Sequence, residues 1–408
     1  ETIFAYKIFL VLHFLIGGGG TYAFARRMGL TAFPALFAAT SFAFGPMFYA
    51  AITWDTAWGH ILMFTPVAFL AVESALRSEA ISARCGWSAL AGLMVAQMYV
   101  ASVPSFPYGI GLLAGWMVYR LVAEPIQAVG SRKTHLQRLM LIGMVTGVLA
   151  GGFVASALLP QLDFISQSPV AGGDYSNAEG GSYTSAASTR AVMLMSYLQE
   201  PRYASRMVFY GTPFVLMAML GAFVSRRQFG APFFAGSILL LFDLSTQESL
   251  IRPLLNLIPG MEQATGHRPL VASLWLALPM SMLAAAGAQW LLNSDKNLKT
   301  LLMRLAPFVL LAAIFVYVDV QLAGSTTLPK GLFPFMNDQE PFLGRWQLTA
   351  ALLTTMAMLV PFLPLPTSAL FWRPRLRIIA TGLIYCFLLL LPLGVDIGTA
   401  IIHPQGTD

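Results

Sequence analysis

The densest group of chemically capable side chains is the run Trp54-Asp55-Thr56-Ala57-Trp58-Gly59-His60. A carboxylate and an imidazole five residues apart supply acid–base or ligand chemistry, and the flanking indoles offer flat apolar faces to a sugar. Interface anchoring is the competing reading of the same run, because tryptophan gathers at membrane boundaries. A second run, Leu159-Pro160-Gln161-Leu162-Asp163, sets an acid beside an apolar stretch, where it is costly unless it is paired or faces water. A third group is cationic: Arg190, Arg202, Arg206, Arg252 and Arg268. Guanidinium forks bind phosphate oxygens bidentately, and Arg268, in His267-Arg268-Pro269 ahead of an apolar run, is the best placed. Contact with lipid headgroups is the plain alternative for any one of them. Asp243 and Asp319 stand near the ends of apolar runs, where an acid is a functional candidate by default. The five histidines are scattered, so no metal-ligand spacing emerges. Cys85, expected in a short loop, and Cys386, inside an apolar run, exclude a disulfide framework.

The elements that must position these groups come from a very apolar chain. Of 408 residues, 57% are hydrophobic and only 10% charged, and the mean hydropathy is +0.70. Soluble domains carry about 25% charged residues, so the composition excludes a soluble enzyme, a disordered tail and a nucleic-acid-binding domain. Apolar runs recur from end to end, which predicts an all-α, polytopic integral membrane protein. A span takes roughly 20 apolar residues. About twelve candidate spans follow, at 3–25, 31–49, 59–76, 86–101, 107–121, 139–159, 207–225, 229–246, 269–292, 304–321, 346–366 and 378–396. The run Gly17–Gly20 in the first has the small residues that let helices approach closely.

Charge sets the expected orientation. Alternate loops on one side hold sixteen of the 24 basic residues and four of the 18 acidic ones. By the positive-inside rule that side is cytoplasmic, which directs both ends of this chain outward. The longest outer loop, 161–206, is rich in Gly, Ser, Tyr and Asn and has turn composition in its middle. The cytoplasmic loops are short and basic, so chemistry is expected at the outer face. No cleavable signal peptide is expected, because the first apolar run is too long and encloses Lys7.

Taken in order, these segments resemble the YfhO-like bacterial membrane proteins of the GT-C glycosyltransferase superfamily. LHFLIGGGGTYAFARRMGLTAFPALFAATSFAFGPMF resembles that family's glycine-containing span, basic turn and following span. GHILMFTPVAFLAVESAL is similar to its next span, and ALLPQLDFISQSP to its exit into a long outer loop. LIPGMEQATGHRPLVASLWLALPMSMLAAAGAQWLL resembles its segment before a small-residue-rich span. The resemblance covers roughly residues 10–290, and implies a GT-C-like core at 1–292 followed by C-terminal transmembrane helices at 293–408. Asp163 stands where the family pattern has Glu, and Val170 near where Arg follows the serine. The family's acidic first outer loop falls ahead of Glu1, so the chain from Glu1 is expected to show no transfer until an upstream span and acidic loop are restored.

The resemblance implies transfer of a sugar from a polyprenyl-phosphate donor to a cell-envelope acceptor, at the outer face of a bacterial inner membrane. Asp55, His60 and Asp163 would then carry the acid–base work. Trp54 and Trp58 would hold the substrate with Arg190, Arg202, Arg206, Arg252 and Arg268. Such a reaction admits a divalent cation, Mg or Mn, without fixing one. Besides the donor, the partners are the lipid bilayer and other membrane proteins. The competing reading is a non-catalytic structural subunit of a larger membrane complex, which would co-purify with it in fixed stoichiometry. A secondary transporter ranks last, since neither an internal repeat nor midplane binding residues are visible.

Overall fold

A computed structural model describes residues 2–45, 56–101, 105–122, 132–167, 212–225, 228–245, 249–257 and 270–292. Among these the regular elements are all helices. They are α1 (Thr2–Arg27), α2 (Ala32–Ala43), α3 (Thr56–Arg77), α4 (Ile81–Ala101), α5 (Phe106–Val122) and α6 (Arg132–Gln167). After a gap come α7 (Thr212–Val224), α8 (Ala231–Leu244), α9 (Arg252–Leu255), α10 (Leu270–Leu274) and α11 (Ala277–Leu292). The first nine expected spans each meet helix, the ninth broken by a turn between α10 and α11. The last three lie outside the described residues, as does most of the outer loop 161–206. Four stretches are long and apolar enough to cross a membrane: Lys7–Arg27, Trp58–Arg77, Lys133–Pro160 and Val271–Leu292. The protein is therefore a helical membrane protein.

Two local expectations change. Cys85 sits inside α4, not in a loop, because that helix starts at Ile81. Likewise Arg132–Arg138 form the first turns of α6, a 36-residue helix. At 1.5 Å per residue such a helix is about 54 Å long, against roughly 30 Å of hydrocarbon, so its polar ends project past the apolar layer. Its middle exposes Met140, Met144 and Val148 at i, i+4 spacing. That stripe suits a lipid solvent.

The turn after α1 shows why the chain reverses there. Gly29 adopts a left-handed φ of +99°. Leu30 N–H donates to Ala25 O and Gly29 N–H to Arg26 O, each at 3.1 Å, which is the paired arrangement that closes a helix C-terminus. Thr31 then starts α2, and both its N–H and its hydroxyl donate to Gln289 Oε1 at 2.8 Å. That buried glutamine pins the α1–α2 turn to α11.

α11 is the buried axis, packed against α7, α2 and α8. Its small residues allow a backbone-to-backbone crossing at Gly287 and Gly221. A Cβ on Gly287 would stand 2.5 Å from Met217 O, and one on Gly221 would run into the Leu283 carbonyl. On the other side α3 packs against α1 and α4, and α4 against α6. Phe24, Phe69, Trp116 and Phe234 interlock between the two halves, with Phe24 edge-on to Phe69, Trp116 and Phe234.

Candidate functional site

α1 and α3 run parallel at a constant offset. His13 faces His60, and seven residues later Gly20 faces Val67. This register carries His60, the last residue of the Trp54–His60 run, onto a histidine from the middle of an apolar helix. His13 Nε2 and His60 Nδ1 are 3.1 Å apart, and His13 Nδ1 is 2.6 Å from Phe9 O. A carbonyl only accepts, so Nδ1 of His13 carries the proton in that bond. In the neutral pair Nε2 of His13 then accepts from Nδ1–H of His60. The Gln97 side chain on α4 also hydrogen-bonds His60. An amide presents either a donor or an acceptor, so the chain Phe9 O–His13–His60–Gln97 keeps its bonds with or without an added proton.

Aromatic rings enclose the pair. Phe9 stacks on His60 with centroids 5.9 Å apart, and Phe64 meets His60 edge-on at 4.8 Å. His13 is 1% exposed. Trp58, half a turn before His60, packs partly buried against the core. An imidazole pair hydrogen-bonded end to end is an arrangement that can take up and pass a proton.

Of the other expected site residues, Trp54, Asp55, Arg190, Arg202, Arg206 and Arg268 lie outside the described residues, as does Asp319. Asp163 falls within the last turns of α6, and its side chain lies outside them too. Arg252 begins α9, where its Nη2 donates to Leu244 O at 2.9 Å. Asp243 closes the same corner: Oδ2 accepts from Ser249 Oγ at 2.7 Å and from Ile251 N–H at 3.1 Å. Burial pulls the Arg252 guanidinium down from its ordinary range, while Tyr108 and Asp243 push it back up. It stays cationic at physiological pH. Both residues thus have local work in holding the α8–α9 turn.

No family model, curated protein or solved structure matches this chain.

A second polar cluster lies at the other end of α3. Glu73 is fully buried, and its Oε1 accepts from Arg77 Nε at 2.7 Å and from Arg120 Nη2 at 3.1 Å. The Arg120 guanidinium lies over the Trp116 ring, 5.6 Å from its centroid. From His60 to Glu73 is about 20 Å along the helix axis, most of a bilayer's apolar thickness. The two clusters are separate sites.

Sequence reasoning singled out His60 and missed His13, Glu73 and His135. The available signal was an ionisable residue inside an apolar helix, which is a functional candidate by default. Among the described residues no group of three or more His, Cys, Asp or Glu could hold a metal ion.

Proposed function

We propose that the protein is a multi-pass inner-membrane glycosyltransferase of the GT-C kind, moving a sugar from a polyprenyl-phosphate donor to a cell-envelope acceptor at the outer face. The basic loops face the cytoplasm in this reading, and both ends of the chain face outward. The observation that supports it is the hydrogen-bonded His13–His60–Gln97 chain, seated at the end of α3 that follows Trp54 and Asp55.

The reaction is a displacement at the anomeric carbon. The acceptor hydroxyl gives up its proton as its oxygen bonds to that carbon, and the donor C–O bond breaks with its electron pair leaving on the phosphate. Asp55 or Asp163 takes the hydroxyl proton, and the histidine pair accepts and relays it. The charge that builds on the departing phosphate calls for cations, a role for Arg190, Arg202, Arg206, Arg252 and Arg268. Trp54 and Trp58 hold the sugar by its apolar face.

The test is release of polyprenyl phosphate by the full-length protein, as its gene encodes it, in proteoliposomes with a panel of polyprenyl-phosphate sugars. Turnover is expected, with Asp55→Asn or Asp163→Asn lowering it by about 10²–10⁴. If every donor is inert while the protein co-purifies in fixed stoichiometry with other membrane proteins, the structural-subunit reading replaces this one.

A further inference from the structure

The end of the bundle away from the histidine pair holds more positive charge than its described carboxylates balance. Arg84 on α4 is 8% exposed, and Arg138 on α6 is half-buried. Both guanidiniums converge on one acceptor, the Ser78 carbonyl oxygen, at 2.9 Å from Arg84 Nη2 and 3.2 Å from Arg138 Nη1. Arg138 also donates to Leu76 O at 3.2 Å and Arg84 to Glu79 O at 3.3 Å. Leu76 O is an open carbonyl at the C-terminus of α3, and Ser78 and Glu79 follow directly in the α3–α4 turn, at the end where that helix dipole offers about half a negative charge. Two full cations sharing that end repel each other unless an anion comes between them. Among the described residues the fully buried carboxylate nearby is Glu73, which already serves Arg77 and Arg120, and Glu79 is exposed.

His135 supplies an independent observation. It lies one turn before Arg138 on α6, is 2% exposed, and neither ring nitrogen has a hydrogen-bond partner among the described residues. Arg120, Arg138 and Glu73 lie within its electrostatic reach. An imidazole always carries at least one N–H, and leaving such a donor buried and unmet is unfavourable. An unmet donor beside converging guanidiniums is a site for an oxyanion.

We propose that Arg84, Arg138 and His135 bind a phosphate group at the junction of α3, α4 and α6. Donors reach it from different helices, which suits a tetrahedral oxyanion better than a planar carboxylate with two oxygens. The charge of Glu73 is offset by Arg77 and Arg120, both at Oε1, while its Oε2 is a buried acceptor with no partner among the described residues. The junction ends a helix long and apolar enough to cross a membrane, and in a bilayer such an end would stand near the lipid phosphates. A lipid headgroup and a soluble phosphate ester share the chemistry.

The experiment measures binding and melting temperature of the purified full chain in detergent. Inorganic phosphate is titrated against chloride at matched ionic strength, and phosphatidic acid in mixed micelles against diacylglycerol. Saturable binding of phosphatidic acid with a rise in Tm is expected. Arg84→Gln and Arg138→Gln should each weaken it at least about tenfold, the loss of one charge-assisted hydrogen bond. Arg84→Lys should recover part of it. His135→Phe keeps the ring shape and removes the donor, so it should melt at or above the parent temperature while binding more weakly. That variant decides the matter if the arginine variants do not fold. A response to phosphatidic acid alone assigns a lipid headgroup, and a response to inorganic phosphate as well assigns a soluble ester. No saturable response to either probe, or one unchanged in Arg84→Gln and His135→Phe, overturns the proposal.

Discussion

Glu73 joins two arginines of unequal burial. The Arg120 side chain is 5% exposed and that of Arg77 32%. Removing the carboxylate charge takes its ion-pair partner from the buried guanidinium of Arg120, and breaking a buried pair costs about 3–5 kcal/mol. Glu73→Gln should therefore lower stability by that order, read as a fall in the unfolding midpoint in matched micelles. Arg77→Gln removes a half-solvated partner and should cost about 1 kcal/mol or less. Equal damage from the two would mean that the Arg120 pairing is not the dominant one. A milder case is Gln289, whose Oε1 accepts twice from Thr31. Gln289→Leu removes both bonds to Thr31, an exposed residue whose N–H water can meet, and should cost about 1 kcal/mol. Thr31→Val loses only the hydroxyl bond and should cost less. These roles were hard to read in the chain, for a plain reason. His13 meets His60 across 47 positions and Thr31 meets Gln289 across 258, and no local pattern encodes such pairings. What was legible was the residue type: an imidazole or carboxylate within an apolar run needs a partner somewhere.

Helices were the legible level, and their ends the illegible one. Apolar runs of near-span length predict the positions of α1 to α8 and of α11, because length and hydropathy are properties of the segment itself. The starts of α4 and α6 were misplaced because Arg84, Arg132, Lys133 and Arg138 look like loop residues. In the fold they lie in the first turns of helices, and Arg84 and Arg138 are met by carbonyls of the α3–α4 turn. Packing between helices offers a sharper test. Alanine is the better helix former by about 1 kcal/mol, so a glycine replaced in open space should gain stability. Gly151 and Gly152 on α6 have nothing within 4 Å of a Cβ, and Gly151→Ala should be neutral or stabilising. Gly221→Ala should do the reverse, since its Cβ would press the α7 backbone off α11 against Leu283 and Gly287. Melting curves of the two variants in the same detergent decide it. If Gly221→Ala melts no lower than Gly151→Ala, the close crossing does not stabilise the bundle.

At the scale of the whole molecule, the parallel packing of α1 and α3 constrains topology. Two parallel helices joined through α2 require the intervening chain to return to the starting side. The Arg26–Arg27 end of α1 and the Arg77 end of α3 therefore share one side of the bundle, and Arg84 and Arg138 meet the same end of α3. The positive-inside bias then speaks for this end as a unit, whatever the exact number of spans. The proposed orientation predicts that a cysteine replacing Lys133, in a Cys85→Ser, Cys386→Ser background, is modified by a membrane-impermeant thiol reagent only after cells are opened. Lys133 is exposed, so protection in intact cells would come from sidedness and not from burial. A cysteine at Leu250, 72% exposed beyond the far end of α8, should react in intact cells. Labelling at position 133 from outside would invert the molecule. The histidine pair would then face the cytoplasm, and an outer-face transfer reaction at that site would fall with it. The phosphate site would survive, because lipid phosphates line both surfaces of a bilayer.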